Sequence, residues 1–190
     1  MDQLTHNGAD KLRRGRISIP FARYFITLCV RNRIPKLTAE NIPDKLADAL
    51  RQLHMEHDIE LICATTMPDH FHILYRLGKR LKLGQVQAKL KSLTNENLQS
   101  AGIEWQQNYY DHRLREQMPM DRFARYLFLN PYTKRLIQCD EPWPYWIVNQ
   151  KLRPEFMEHL RDGRCPPVQW LQNADSAKAL VDEDLEERSV

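Results

Sequence analysis

Two histidines separated by one apolar residue, His70 and His72, are the residues of this chain best placed to bind a metal ion. They lie in Met67–Leu74, whose apolar residues favour a β-strand. Side chains alternate between the two faces of a strand, so both imidazoles should point the same way, roughly 6 to 7 Å apart at their bases. Both could then reach one divalent ion. The alternative is a pair of polar residues on the solvated face of a half-buried strand.

A second pair of polar residues, Tyr126 and Asn130, lies four positions apart in a segment with helical spacing of its apolar residues. Residues four apart are neighbours on one helical face, here at the margin of the stripe that packs on the sheet. Pro131 disfavours regular helical geometry at Asn130, which predicts a helix end or a kink there. A packed tyrosine is the simpler interpretation. Beside two imidazoles, however, a phenol and an amide oxygen complete the groups needed for metal-assisted phosphodiester cleavage.

The elements that must position these side chains can be predicted from the apolar pattern. The order of elements favours an α+β, ferredoxin-like sandwich, with helices packed on a mainly antiparallel sheet. Trp105–Leu114 should be extended, and the helix that carries Tyr126 should begin near Met120 or Asp121. The other predicted strands are 24–30, 60–66 and 70–75, and the other predicted helices are about 42–57 and 84–99.

The chain is long enough for one domain with a sizeable core, and its basic body favours a polyanionic partner. It has 190 residues and a net charge of +3. Residues 172–190 hold six acidic and two basic side chains, so the remainder carries +7. This acidic stretch is expected to be a solvated tail, and residues 1–12 are expected to be disordered. No apolar run is long enough to cross a bilayer and no signal-peptide core is visible, which predicts a cytoplasmic, nucleoid-associated protein.

Four blocks in this order resemble the REP-associated tyrosine transposases, a branch of the HUH single-stranded DNA endonucleases. They are Arg14–Arg16 followed by Tyr24–Thr27, then Met67–Leu74, Tyr109–Arg115 and Tyr126–Pro131, within about residues 13–147. The family usually has Asn where this chain has Asp69. Residues 148–171 would form a C-terminal extension and residues 172–190 an acidic tail.

The resemblance implies that Tyr126 attacks a phosphodiester of single-stranded DNA and forms a 5′-phosphotyrosine. His70, His72 and Asn130 would be the metal ligands. Two imidazoles and an amide without thiolate favour Mg²⁺ or Mn²⁺, and Mn²⁺ suits the imidazoles better. The expected activity is cleavage and rejoining of DNA next to repetitive palindromic hairpins, by a monomer or, alternatively, a dimer.

Basic and aromatic side chains outside the catalytic set are candidates for DNA contacts. The basic ones would bind phosphates and the aromatic ones would stack on unpaired bases. The candidates are Arg13, Arg14, Arg16, Lys79, Arg80, Lys82, Trp105, Tyr109, Tyr110, His112, Arg113 and Arg115.

Two other functions remain possible from the sequence. One is a non-catalytic protein that binds DNA hairpins as a regulator. The other is a metal-dependent hydrolase of a small phosphate ester, which should have more acidic ligands and a glycine-rich phosphate loop. No such loop is visible among the six glycines.

Overall fold

A computed structural model of the chain describes residues 17–186, with side chains through Leu185. The predicted disordered residues 1–12 and the basic side chains of Arg13, Arg14 and Arg16 lie outside this range. The elements are β1 (Arg23–Cys29), α1 (Ile42–Met55), β2 (Ile59–Thr66), β3 (His70–Leu77), α2 (Leu83–Ser100), β4 (Tyr110–Arg113), α3 (Met120–Thr133), β5 (Trp146–Val148) and α4 (Ala177–Glu186).

The five strands form one sheet in the order β4-β1-β3-β2-β5, and every pair of neighbours is antiparallel. The first six elements follow the order βαββαβ, and their four strands are arranged 4-1-3-2, as in ferredoxin-like folds. This confirms the predicted fold class. The sequence did not indicate β5, which is an edge strand of only three residues. The predicted boundary between the transposase-like domain and the C-terminal extension, between residues 147 and 148, falls inside β5.

The sheet separates two hydrophobic cores. Along β1, Tyr24, Ile26 and Leu28 pack towards α1 and α2. Phe25, on the alternate face, packs with Phe123 and Leu127 of α3. Strand β3 is central in the sheet, and helices pack on both of its faces. This packing holds its side chains in defined positions. No helix in residues 17–186 is long and apolar enough to cross a membrane.

Helix α3 continues through Pro131 and ends at Thr133, so Asn130 lies in its last turn. This position agrees with the prediction that Pro131 would place Asn130 near a helix end. Pro131 has no backbone N–H, so the proline costs the helix one hydrogen bond, the one to the carbonyl of Leu127 in the preceding turn. The backbone N–H groups of Lys134 and Leu136 donate to the carbonyls of Asn130 and Pro131 and complete the helix end.

The C-terminal segment is more ordered than the sequence suggested. Beyond β5 the chain forms three short 3₁₀ turns and then α4. The interpretation of residues 172–190 as a solvated tail is wrong for α4, because Leu180, Val181 and Asp184 are buried against the α3 side of the sheet. Spacing of three and four residues puts these side chains on one helical face, while the exposed Asp182 and Glu183 explain the acidic composition.

Candidate active site

His70 and His72 lie on the α3 face at the start of the central strand, and their Nε2 atoms converge to 3.1 Å. Two adjacent ligands of an octahedral ion, each about 2.1 Å from the metal, are about 3 Å apart. The separation of the two imidazoles therefore matches a shared divalent ion. The strand periodicity of two places both rings on one face, as the sequence predicted.

Each imidazole is oriented by a partner at its other nitrogen. The Oδ1 atom of Asp69 lies 2.6 Å from Nδ1 of His70, and Oγ1 of Thr27 lies 2.8 Å from Nδ1 of His72. An ionised carboxylate only accepts hydrogen bonds, so Nδ1 of His70 donates and Nε2 of its neutral ring keeps a lone pair. This is the tautomer that a metal-binding histidine needs.

Burial favours the neutral form of both rings. It lowers the pKa of His70, although the hydrogen bond to Asp69 acts in the opposite direction. It lowers the pKa of His72 further, and the neighbouring His70 adds to this effect. Neutral imidazole is the form that binds metals, so both side chains are in the appropriate state at neutral pH.

Tyr126 reaches the same place from α3. Its ring centroid lies 5.6 Å from that of His72. Phe25 contacts both rings: its centroid lies 5.3 Å from that of His72 in a stacked arrangement and 6.0 Å from that of Tyr126 in an edge-on arrangement. Burial raises the pKa of the Tyr126 phenol, and a hydrogen bond with the side chain of Asn130 partly offsets that rise. The nucleophile predicted from the sequence thus lies beside the imidazole pair.

Asn130 supplies a buried oxygen near the phenol. The residue is 2% exposed, and its Oδ1 atom has no hydrogen-bond partner within residues 17–186. An unsatisfied buried carbonyl oxygen costs free energy, which makes it a suitable ligand for a hard cation. The described part of the chain contains no group of three or more His, Cys, Asp or Glu side chains that could hold a metal. Two imidazoles and one amide could serve here as the ligands of Mn²⁺ or Mg²⁺, and this ligand set stays a prediction.

Four residues around the site were not identified as functional from the sequence. Thr27 and Thr65 flank His72 on the neighbouring strands, and the buried Oγ1 of Thr65 has no hydrogen-bond partner among the described residues. Asp69 is fixed in turn by Arg33, whose Nε lies 2.8 Å from Oδ2. The adjacency of Asp69 to His70 was a usable signal. The two threonines could be identified only from the strand register, and Arg33 only from its long-range contact with Asp69.

The loop that carries Lys79, Arg80 and Lys82 is exposed but lies at the opposite end of β3 from His70. Arg80 is already engaged there, because its Nη1 donates to the carbonyl of Glu56 at 2.7 Å. DNA that contacted this loop would have to extend along the full length of the strand from the imidazoles. The phosphate contacts of this loop stay a prediction.

The aromatic DNA candidates divide into two kinds. Trp105 and Tyr109 are each 8% exposed and belong to the core beneath α1 and α2. The indole N–H of Trp105 donates to Oγ1 of Thr94 at 2.9 Å. These two rings serve the core rather than an accessible stacking surface, which corrects the prediction made for them. Tyr110 is half-buried on the α3 face, 6.2 Å from the ring of Phe25.

The three basic candidates around β4 also differ. His112 is 8% exposed, with its Nε2 2.6 Å from Oδ2 of Asp184 in α4, so it holds the C-terminal helix and does not face solvent. Its predicted DNA contact is not compatible with this placement. Arg115 is half-buried and donates to the carbonyl of Leu185. Arg113 is exposed and remains a candidate for a phosphate contact.

Comparisons with known proteins place the chain in a family. The fold resembles that of a REP-associated tyrosine transposase bound to a REP hairpin, with a TM-score of 0.59 and 20% identity, covering 69% of this chain and 79% of that one. A protein of Deinococcus radiodurans R1 described as a transposase candidate has a TM-score of 0.44 and 20% identity, covering 65% and 96%. No curated protein sequence matches. The model of the family "Transposase IS200 like" matches residues 20–127, more than half of the chain, and the protein therefore belongs to the IS200-like transposases.

Proposed function

We propose that this transposase is a metal-dependent endonuclease of single-stranded DNA, which cleaves and rejoins strands next to repetitive palindromic hairpins through a 5′-phosphotyrosine. The observation that supports this most directly is the convergence of Tyr126 with His70 and His72, which come from different elements of one chain. One chain supplies all three side chains, which is consistent with a monomer as the active form.

The proposed reaction is a transesterification. The phenol oxygen of Tyr126 attacks the phosphorus, the bond from phosphorus to the 3′-oxygen breaks, and the 3′-oxygen leaves as a hydroxyl in exchange for the phenol proton. The ester bond to Tyr126 conserves the energy of the bond that was broken. A 3′-hydroxyl of another strand can therefore attack the phosphotyrosine and restore the phenol, without ATP.

His70, His72 and Asn130 would hold the Mn²⁺ or Mg²⁺, which when bound lowers the negative charge on the scissile phosphate. Thr27 and Asp69 hold the imidazoles in place, so these two ligands need little rearrangement on loading. Phe25 and the helix α3 exclude water from one side of the site. Burial keeps the phenol of Tyr126 protonated at neutral pH, so that proton must be removed as the reaction proceeds.

A hairpin partner is supported by a structural neighbour and by charge. The REP-associated transposase with the similar fold is bound to a REP hairpin. In this chain the net charge of +3, which includes the acidic side chains of α4, is compatible with a polyanionic partner. Arg113 and Lys79 offer exposed cations for phosphates.

Covalent trapping tests the proposal. The protein is incubated with a DNA hairpin that carries single-stranded extensions, with Mn²⁺ or with a chelator, and adducts are resolved by denaturing electrophoresis. Wild-type protein should form an adduct only with metal, whereas Tyr126→Phe and His72→Ala should form none. Tyr132→Phe is the matched control, because Tyr132 is on the same helix and its hydroxyl donates to the backbone of Glu141 instead.

Two outcomes would contradict the proposal. An adduct with Tyr126→Phe would assign the nucleophile to another residue. If no adduct forms across a broad set of hairpins that the protein nevertheless binds, the protein is a non-catalytic hairpin-binding regulator.

A further inference from the structure

A polar groove lies at the end of β1, beside the imidazole pair but outside the catalytic set. Its volume is about 710 Å³, and its walls are the turn Arg31–Arg33 and the segment 104–108. Backbone hydrogen bonds tie the two walls together, from Arg31 to Glu104 at 2.8 Å and from Gln106 to Cys29 at 2.8 Å. Lys91 reinforces one wall by donating to the carbonyls of Gln106 and Gln107. The groove is thus part of the folded framework.

The groove connects with the metal-binding residues through Arg33. That side chain lines the groove, and its Nε lies 2.8 Å from Oδ2 of Asp69, whose other oxygen contacts His70. In the sheet, Cys29 at the end of β1 is the direct partner of His70. A strand of DNA whose phosphate lay at the imidazoles would therefore have its adjacent nucleotides within reach of this groove.

The lining has the chemistry of nucleotide recognition. Arg31 and Arg33 bring two guanidinium groups to the groove, where Arg31 is paired with Glu104 and Arg33 with Asp69. The amides of Asn32, Gln106 and Gln107 each offer donors and an acceptor, which match the edges of unpaired bases. The only carboxylate among the lining residues is that of Glu104, which pairs with Arg31 at 2.6 Å. Apart from the largely covered Trp105, the lining contains no apolar anchor of the kind that dominates protein interfaces.

The turn that carries two of these side chains is strained. Asn32 and Arg33 both have a φ of 57°, in the left-handed region that L-residues rarely adopt. Such strain persists where the surroundings impose it, and it concentrates at sites that hold ligands. Both residues line the groove.

We infer that this groove binds the unpaired nucleotides next to the scissile phosphate and that its amides read the base sequence at the cleavage point. The inference rests on the proposed function. It assigns recognition of the single strand to residues 31–33 and 104–108.

The test compares two DNA probes by fluorescence anisotropy in the presence of a chelator, which prevents cleavage. One is a hairpin with about six unpaired nucleotides of randomised sequence on each side, and the other is the same hairpin with blunt ends. Gln107→Ala and Arg31→Ala alter the groove. Gln52→Ala and Arg51→Ala are matched controls, because both residues are exposed on α1 and Arg51, like Arg31, pairs with an acid.

The groove variants should weaken binding of the extended hairpin by about tenfold and leave that of the blunt hairpin within about twofold. The controls should leave both unchanged. Sequences selected from the randomised extension by wild-type protein should lose their preference at one or more positions with Gln107→Ala, an effect that a purely structural role would not produce.

Three results would overturn the inference. Groove variants that behave like the controls, or that weaken both probes equally, would exclude the groove as the site for unpaired nucleotides. The proposed function would then still stand if the covalent adduct forms. A wild-type protein that binds neither probe and forms no adduct would refute both proposals together.

Discussion

The carboxylate of Asp69 holds the imidazole of His70 by a contact of 2.6 Å between Oδ1 and Nδ1. The same carboxylate is held by Arg33 at 2.8 Å, so a chain of contacts runs from the end of β1 to a metal ligand. The hydrogen bond to Asp69 raises the pKa of His70 against the effect of burial, which means that it also makes the imidazole more basic towards a cation.

Removal of the Asp69 carboxylate should weaken metal binding. Asp69→Ala should lower the affinity for Mn²⁺ by about 10- to 100-fold, because His70 loses the partner that fixes its tautomer and orientation. Asp69→Asn should keep much of the affinity, since the amide oxygen can still accept from Nδ1. Isothermal titration with Mn²⁺ measures both, and Asp48→Ala on α1 is the control. Equal affinities for wild type and Asp69→Ala would show that the carboxylate does not support the ligand.

Thr27 should matter for His72 in the same way. Thr27→Val keeps the shape of the side chain but removes the hydroxyl that lies 2.8 Å from Nδ1 of His72. We expect about tenfold weaker binding of Mn²⁺ and a lower rate of adduct formation. Thr27→Ser should restore both. A Thr27→Val variant that binds Mn²⁺ as wild type does would mean that the neighbouring strands alone orient His72.

Much of the site could be predicted from the sequence because its signals are local. The spacing of His70 and His72 and that of Tyr126 and Asn130 each determine a shared face within a single element. That the two pairs would meet across the α3 face was only implied by the resemblance to the HUH endonucleases. The pattern of apolar residues also placed the four strands of the ferredoxin-like sheet.

The errors concern contacts between distant segments. Trp105 and Tyr109 have the composition of a stacking surface, but whether an aromatic ring is covered depends on how α2 packs over it. His112 could be assigned correctly only with Asp184, which lies 72 residues later. The sequence of α4 resembled a solvated tail because it is rich in acidic residues and only three of its side chains up to Leu185, one of them the acidic Asp184, are buried. Which distant segment covers each of these side chains is not contained in any local pattern.

The rate of cleavage should rise with pH. Burial raises the pKa of Tyr126 above its ordinary value of 10.0, so the phenol is protonated throughout the neutral range and its proton must leave during attack. We expect the single-turnover rate of adduct formation, at saturating Mn²⁺, to increase from neutral towards alkaline pH without a plateau below the ordinary phenol pKa. Asn130→Ala should shift the profile to higher pH, because the hydrogen bond that lowers the pKa of Tyr126 is lost. A flat profile would indicate that a step other than loss of this proton limits the rate.

The buried pair of His112 and Asp184 should fasten α4 to the domain. Asp184 is 1% exposed and His112 stacks on Phe123 with ring centroids 5.7 Å apart, so both polar groups are largely shielded from water. Asp184→Ala should therefore lower the free energy of unfolding by about 3 kcal/mol, or release α4, because the remaining partner stays buried without its counterpart. Denaturant unfolding and limited proteolysis near residue 177 distinguish these results. Asp182 is an exposed acid on the same helix, so Asp182→Ala should change neither the free energy of unfolding nor the protease resistance. If Asp184→Ala is as stable and as protease-resistant as Asp182→Ala, the apolar packing of Leu180 and Val181 alone holds the helix.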